Sequence, residues 1–315
     1  MNRFLKKLLK LLLVVLCVTW FTFLMIDLLP GDAAHEIAGE NASIEEVSEI
    51  QEQLGLNKNI IARYFRWVAR VFQGDLGVSS ITQEVVAEAI LARLPVTIEL
   101  MLVAQFFALF LAVPLGIISA YKANSGFDDL LAGLAFGFMS TPVFVMSIMF
   151  IYFFSLKLGW LPATGYVPLS QGFLKNIQSF ILPGLSIALV EWVPLMRVLR
   201  SDMIATLKED YILLARAKGI PAYKILFSHA LKPSSFTLIT ILGIQIGHLV
   251  GGALIVEIIF ALPGVGRLLV GAIYGRDIFM VQGCILFITL AYVGINFCVD
   301  AVYSILDPRI RMQPY

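Results

Sequence analysis

The sequence predicts an all-α polytopic membrane protein with six transmembrane helices and with both termini in the cytoplasm. Of its 315 residues, 59% are hydrophobic and only 14% are charged, whereas a soluble globular chain carries about 25% charged residues. The apolar residues are gathered into six runs, each long enough to cross the hydrocarbon core of a bilayer. Lys and Arg are concentrated in alternate connections between these runs, which indicates the orientation by the positive-inside rule.

The first apolar run, at residues 11–29, follows a basic N-terminal stretch, as it would in a signal peptide. It is about 19 residues long and no small-x-small cleavage site follows it directly, so we expect a retained span with a cytoplasmic N-terminus. A polar region up to Arg93 then contains two expected amphipathic helices, one headed by a capping-box pattern at residues 43–46 and one at residues 60–72. The other five spans are predicted at residues 95–121, 130–155, 179–199, 236–260 and 281–305.

The distribution of basic residues supports this arrangement. Of the 23 Lys and Arg residues, fourteen fall on the cytoplasmic side and nine outside. Five of those nine lie in the long first outer loop, where the positive-inside rule counts least. We therefore divide the chain into residues 1–94, a first helix with an extracytoplasmic loop, and residues 95–315, a five-helix core with a cytoplasmic loop at residues 201–235.

The cytoplasmic loop contains a polar stretch, residues 201–233, in which apolar residues keep a helical period. These residues are Met203, Leu207, Tyr211, Leu214 and Ala215. Gly219 and Pro221 then end the helix, and a second helical pattern covers residues 223–231. A helix–glycine–helix unit between two spans suits the docking of a soluble protein. The alternative is an ordinary basic loop whose charge only fixes the topology.

Polar side chains inside the predicted spans require a cavity or a partner, because an ionisable group in the bilayer costs about 2.5–3.5 kcal/mol. Glu191, Gln245 and His248 lie in the middle of their spans and are candidates for lining a substrate path. The alternative is that they form hydrogen bonds between helices. We prefer this structural interpretation, or an interfacial position, for the remaining polar residues, which are Glu99, Gln105, Glu257, Asn296 and Asp300.

Small residues in two spans predict close packing of helices. Gly243, Gly247 and Gly251 recur every four residues on one face of the fifth span, and this small-xxx-small pattern lets another helix approach closely. Gly133 and Gly137 repeat the pattern in the third span.

The sequence gives little support for catalysis, metal binding or nucleic-acid binding. It contains neither an HExxH zinc motif nor the phosphate-binding loop of P-loop ATPases, and its three cysteines fit neither a metal site nor a disulfide framework. The net charge is only +1, and the Lys and Arg residues are spread over separate loops. Nucleic-acid binding would require them to be gathered on one basic face. Two remote alternatives are an intramembrane protease built on Ser186, with His248 as the base, and a secondary transporter acting alone.

Short motifs are spread over the whole chain in a fixed order. The cytoplasmic loop carries DY at residues 210–211, ARAKG at 215–219 and HAL at 229–231. The others are LPGD at 29–32, QGDLGVS at 73–79, RLPVTIEL at 93–100, LGWLPATGY at 158–166, EIIFALPGVGR at 257–267, RD at 276–277, VQG at 281–283 and DPRIR at 307–311. Together and in this order they resemble the peptide/nickel/opine branch of bacterial ABC importer permeases.

This resemblance implies a type I ABC importer permease fold in which the cytoplasmic loop holds a coupling helix, at about residues 204–218, seated in a groove of an ATPase subunit. The coupling residues would be Leu207, Asp210, Tyr211, Leu214, Ala215, Arg216, Lys218 and Gly219. The apolar face would be the anchor, and Gly219 would allow the sharp turn into the second helix. Leu213 and Leu214 stand where the general importer motif has Glu and its first Ala, so the contact with the ATPase is expected to be mainly apolar.

The same resemblance implies the partners and the compartment. We expect a paralogous permease subunit, two cytoplasmic ABC ATPase subunits, an extracytoplasmic substrate-binding protein and surrounding lipid in the bacterial inner membrane, but no nucleic acid. The chain would be no enzyme and would hold no cofactor or metal, since ATP and Mg²⁺ would bind to the ATPase subunits. Peptides, nickel or its chelates, glutathione and opines share this permease type, and we expect di- or oligopeptides.

Overall fold

A computed structural model describes residues 3–28 and 59–306, together with the isolated residues 43, 45 and 48, and these are almost entirely helical. The helices are α1 (Arg3–Asp27), α2 (Ile60–Phe72), α3 (Val86–Tyr121), α4 (Gly126–Ser140), α5 (Val143–Lys157), α6 (Phe173–Thr206), α7 (Asp210–Ala217), α8 (Ala222–Gly252), α9 (Leu254–Ile259), α10 (Val265–Tyr274) and α11 (Ile278–Leu306). The capping box predicted at residues 43–46 lies largely outside the described residues, and the motifs at 29–32 and 307–311 lie outside them.

Four helices among the described residues are long and apolar enough to cross a membrane, namely α3, α6, α8 and the stretch Ile278–Val299 of α11. The third predicted span is not one straight helix, because α4 and α5 meet at 96°. Thr141 is extended there and Pro142 begins α5 without a side-chain cap, as expected since proline disfavours helical backbone in the residue before it. If this bent pair is counted as one span, the described residues contain five candidate spans. The apolar stretch of α1, Leu9–Met25, is shorter than the other spans, so a total of six remains a prediction.

The chain forms two compact units, each built from two segments. The first unit combines Met1–Val96 with Pro263–Val293, and the second combines Thr97–Leu262 with Gly294–Tyr315. Helices α3 and α11 contribute to both.

In the first unit, Tyr64 of α2 packs against several residues of α1. Tyr64 is buried, its ring meets Trp20 and Phe23 edge-on at centroid distances of 5.0 and 5.7 Å, and its hydroxyl lies 3.0 Å from the hydroxyl of Thr19. The amphipathic helix predicted at residues 60–72 is therefore present with the same bounds. Not all of its apolar residues face the interior, since Tyr64 is buried whereas its neighbour Phe65 is exposed.

The second unit is built around α6, which has many buried residues although it contains Pro183 and Pro194. Close approach of α3 is possible where α6 has no side chain, since a Cβ atom at Gly184 would lie 2.7 Å from Val103. Arg200 near the end of α6 forms a two-pronged ion pair with buried Asp128 of α4, with N–O distances of 2.8 and 2.5 Å. Ser119 of α3 donates to the same carboxylate. The ion pair thus joins α4 to α6, and the hydrogen bond from Ser119 adds α3 to the same group.

Candidate functional site

The helix predicted at residues 204–218 begins later in the structure than we expected. Helix α6 continues to Thr206, a turn occupies residues 207–209, and α7 begins at Asp210. The turn is closed by N–H groups of Lys208 and Glu209, which donate to the carbonyls three residues before them at 3.1 Å each, the tighter pairing found at helix ends. The helical spacing of apolar residues that predicted one helix therefore runs across this turn. Met203 belongs to α6, whereas Tyr211 and Leu214 belong to α7.

Helix α7 has a buried side and an exposed side. Ile212 and Ala215 are 0% and 6% exposed and lie in the apolar core of the second unit, together with Met203 of α6. Tyr211 and Leu214 point away from this core and are 46% and 56% exposed. Two of the predicted coupling residues are therefore exposed apolar side chains, whereas Ala215 packs against the chain itself.

The remaining predicted coupling residues lie around this exposed side. Leu207 is half-buried in the turn, and Asp210, Arg216, Lys218 and Gly219 are exposed. Leu213, which the sequence singled out only as a departure from the motif, is also 51% exposed. Sequence reasoning missed Ile212, the side chain that holds α7 on the core, although its spacing of three residues from Ala215 is a helical one.

Gly219 ends α7 by the Schellman arrangement, in which a residue of left-handed conformation closes the helix. Its φ is +75°, its N–H donates to the carbonyl of Arg216 at 2.9 Å, and the N–H of Ile220 donates to the carbonyl of Ala215 at 3.2 Å. A Cβ atom here would meet nothing within 4 Å. The backbone conformation, and not a lack of space, therefore explains the glycine.

The three mid-span polar residues are brought together where α6 packs against α8. The side-chain amide of Gln245 donates to the backbone carbonyl of Glu191 at 2.9 Å, and the Glu191 carboxylate lies within electrostatic range of His248. Gln245 is 8% exposed and His248 is exposed. The side-chain oxygen of Gln245 has no hydrogen-bond partner among the described residues. The cluster thus combines one interhelical hydrogen bond with side chains that remain accessible.

Two of the other polar residues in the spans, Glu257 and Glu99, form hydrogen bonds within the second unit. Glu257 is fully buried and accepts a hydrogen bond from the hydroxyl of Thr97 at 2.7 Å. Glu99 accepts one from the amide of Asn176 at 3.0 Å. Gln105 is 5% exposed, and its side-chain amide has no hydrogen-bond partner among the described residues. The side chain of Asp300 lies outside the described residues. For Glu257 and Glu99 these contacts favour the structural interpretation.

The predicted glycine faces differ from one another. A Cβ atom at Gly243 would lie 2.3 Å from Val299 of α11, so this glycine permits a close helix contact, and Gly247 is buried. Gly251 is exposed. Gly133 and Gly137 have nothing within 4 Å of a Cβ atom, so the packing predicted for them is not made within the described part of the chain.

In the first unit, two motifs that are distant in the sequence form one hydrogen-bonded group. Buried Ser79 donates to the carboxylate of buried Asp277, which also accepts the backbone N–H of Met280 at 3.2 Å in the first turn of α11. In the loop that contains Ser79, the carboxylate of Asp75 accepts the N–H of Gly77 at 2.8 Å and contacts Arg70. These contacts hold the pKa of Asp75 below its ordinary value, the Gly77 bond being the larger cause.

No catalytic or metal-binding arrangement was found within the described residues. Ser186 is fully buried and its hydroxyl donates to the carbonyl of Leu182 in its own helix at 2.8 Å. No group of three or more His, Cys, Asp or Glu side chains in the described ranges is placed to hold a metal ion.

Comparison with known protein families decides the identity of the chain. Residues 112–312 match the family described as "Binding-protein-dependent transport system inner membrane component", and residues 1–101 match the corresponding N-terminal family. The chain belongs to this family. It is a permease subunit of an ABC importer and crosses the bacterial inner membrane several times.

Curated relatives of this permease match over nearly its whole length. A putative peptide transport system permease of Brucella abortus is 41% identical over 98% of both chains. The dipeptide transport system permease DppB of Alkalihalophilus pseudofirmus is 37% identical, over 97% of this chain and 98% of the relative. The glutathione transport system permease GsiC of Salmonella paratyphi A is 34% identical, over 99% of this chain and 100% of the relative.

A solved structure has the same fold. A chain in the inward-facing structure of the MetNI methionine ABC transporter superposes on the permease with a TM-score of 0.56, over 70% of this chain and 96% of that chain. Its sequence identity is 18%, so the likeness concerns the fold alone.

Proposed function

We propose that this permease imports di- or oligopeptides that an extracytoplasmic binding protein delivers. It forms half of the translocation pathway, with a paralogous permease as the other half, and two cytoplasmic ATPase subunits bind Mg²⁺-ATP and hydrolyse it. The names of the relatives support a peptide substrate, since they include peptide and dipeptide permeases. Glutathione, which is itself a tripeptide, is the alternative favoured by the relative that is 34% identical; nickel chelates and opines are further alternatives.

We infer six spans with both termini in the cytoplasm. Helix α1 is then the first span, and the bent pair α4 and α5 together form the third. The basic residues support this orientation because Arg197 and Arg200 near the end of α6, Arg216 on α7 and Lys218 directly after it then all lie on the cytoplasmic side. In this topology α7 faces the cytoplasm.

The observation that carries the proposal is the division of α7 into a buried and an exposed apolar side. Tyr211, Leu213 and Leu214 are 46%, 51% and 56% exposed in a loop between two membrane-capable helices. Exposed apolar residues that are clustered on a short helix are suited to insertion into a hydrophobic groove. We propose that α7 is the coupling helix, with Arg216 and Lys218 at the rim of the contact, where charges mainly tune specificity and association rate.

The experiment replaces Leu214 with aspartate and measures co-purification with the ATPase subunits and ATP-driven dipeptide uptake in proteoliposomes. Leu169→Asp is the matched control, because Leu169 is similarly exposed, at 50%, and lies on the extracytoplasmic side in the proposed topology. We expect Leu214→Asp to insert normally but to lose ATPase binding and uptake, because it places a charge in an apolar contact. We expect Leu169→Asp to retain the ATPases. Normal uptake by Leu214→Asp would refute the coupling role.

The polar cluster of Glu191, Gln245 and His248 is proposed to line the path. A peptide carries charged termini and amide groups, so its passage through the membrane requires polar side chains that are not all engaged with one another. The exposed His248 and the unpartnered oxygen of Gln245 in the described structure meet this requirement.

A further inference from the structure

An apolar groove in the first unit runs along α1 and is closed on its other side by residues at the end of α10 and the start of α11. Its volume is about 540 Å³. Helix α1 lines it from Cys17 to Met25, a length of about 12 Å at the helical rise, and Ile273, Val281 and Ile285 line the opposite side. The groove continues onto the exposed apolar surface of α1, where Phe21 and Met25 are each 58% exposed.

Among the described residues that line the groove, one is charged, Arg276. The backbone conformation of Arg276 is unusual. Helix α10 ends in a Schellman arrangement, in which the N–H of Arg276 donates to the carbonyl of Ile273 at 3.1 Å and the N–H of Asp277 donates to that of Ala272 at 2.9 Å. Arg276 occupies the left-handed position, with φ +54°, where glycine is strongly preferred. An arginine here has a conformational cost that glycine would not have, and strain of this kind is often found at functional sites.

The hydrogen-bonding groups of the lining restrict the ligand. The hydroxyl of Thr22 donates to the carbonyl of Val18 at 2.8 Å, so it is already engaged within its own helix. The guanidinium of Arg276 carries five N–H donors in a planar fork that suits phosphate, enough to bind a ligand while keeping a contact within the chain. The matching ligand has a single anionic group at one end of a long apolar body.

We propose that this groove binds one membrane phospholipid, with an acyl chain along α1 and the phosphate on Arg276. The planar guanidinium of an arginine matches the geometry of a phosphate group and can bind it with two hydrogen bonds. A phospholipid fits better than a protein segment, because the lining offers so little polar complement to a peptide backbone. In the proposed topology the site faces the outer leaflet. It depends on the membrane location of the chain but not on the transported substrate.

The test uses Cys17, which lines the groove, as a reporter, and Cys298, which is also exposed, as an internal reference. The full-length permease is purified in its assembly in neutral detergent, and the rate of alkylation by N-ethylmaleimide is measured while phosphatidylglycerol is added. We expect the lipid to slow the alkylation of Cys17 and to leave that of Cys298 unchanged. Soluble glycerophosphoglycerol, which has the phosphate without acyl chains, should not protect Cys17.

Arg276→Gly separates lipid binding from folding, because glycine removes the guanidinium and suits the backbone better. We expect the relief of the left-handed backbone to offset the contact that the guanidinium makes within the chain, so that the variant keeps its melting temperature. We expect it to require roughly tenfold or more phosphatidylglycerol for the same protection of Cys17. Arg276→Gln should show the same loss without the backbone relief, and Arg267→Gln, at an exposed arginine of α10, should behave as wild type. Equal protection in Arg276→Gly and wild type overturns the proposal. Protection by the soluble head group overturns it too, as does protection that requires the partner permease instead of lipid.

Discussion

Replacing Arg200 with methionine removes one partner of the ion pair that joins α4 to α6. The side chain of Asp128 is only 7% exposed, whereas that of Arg200 is 30% exposed. Removing one partner from a fully buried pair costs about 3–5 kcal/mol, and an exposed pair is worth about 0–1 kcal/mol. In Arg200→Met the carboxylate retains the Ser119 hydroxyl and the N–H of Asn124 at 3.0 Å. We therefore expect a loss of about 2–3 kcal/mol, between the two limits.

The assay is thermal unfolding of a permease in which Trp20, Trp67 and Trp160 are replaced by phenylalanine, so that the fluorescence comes from Trp192, which is buried in the same unit. At roughly 2–4 °C per kcal/mol for a unit of this size, Arg200→Met should lower the melting temperature by about 5–10 °C. Arg197→Met is the matched control, since Arg197 is exposed on the same helix. A double-mutant cycle with Asp128→Leu should give a coupling energy above about 1 kcal/mol. Equal shifts for Arg200→Met and Arg197→Met would show that the pair does not stabilise the fold.

Two further predictions concern the candidate sites. Gly219→Ala should cost about 1–2 kcal/mol in the last turn of α7 because of the left-handed backbone, which we expect to appear as faster trypsin cleavage after Lys218. Gly219→Asn should be affected less, since asparagine tolerates this conformation, and equal cleavage in all three proteins would contradict the reasoning. Gln245→Met should change stability by less than about 1 kcal/mol, because it removes one hydrogen bond together with one unpartnered buried oxygen. If Gln245 lines the path, dipeptide uptake should nevertheless change, and unaltered uptake kinetics would assign it to packing instead.

Local sequence patterns predicted those parts of the fold that depend on local physics. The apolar runs indicated α3, α6, α8 and α11 because a helix must satisfy its own backbone hydrogen bonds in lipid. Gly219 indicated the end of α7 because its left-handed conformation is unfavourable for other residues. The bend at Thr141 was missed although Pro142 was a visible signal, since hydropathy continues through a bend without change.

The candidate sites depend on contacts that no local pattern contains. Ser79 and Asp277 are separated by 198 positions, and neither is distinguished from an ordinary loop residue until the two are brought together. Glu191 and Gln245 were singled out because polar groups in a span require a partner, and Gln245 proved to bond to the Glu191 backbone. Which side of α7 is buried also depends on the tertiary structure, because Ile212 and Leu214 are equally apolar.

In the proposed coupling role, the turn at residues 207–209 determines how a displacement of α7 reaches the membrane helices. Without the turn, α6 and α7 would form one straight helix that extends beyond the core. The turn allows α7 to pack against the core through Ile212 and Ala215. These side chains lie in the same cluster as Leu199 and Met203 of α6, and the hydroxyls of Thr206 and Ser234 lie 3.0 Å apart, which links the end of α6 to α8.

Close-packed interiors transmit strain because they contain few voids that could absorb a displacement. A displacement of the exposed side of α7 would therefore move α6 and α8 directly, and these two helices carry the polar cluster. Glu191 lies only about 12 Å from Leu199 along α6 at the helical rise. In the proposed coupling role, the buried side of α7 is therefore as necessary as the exposed side, because a helix that bound the ATPase without being packed on α6 would move without opening the path.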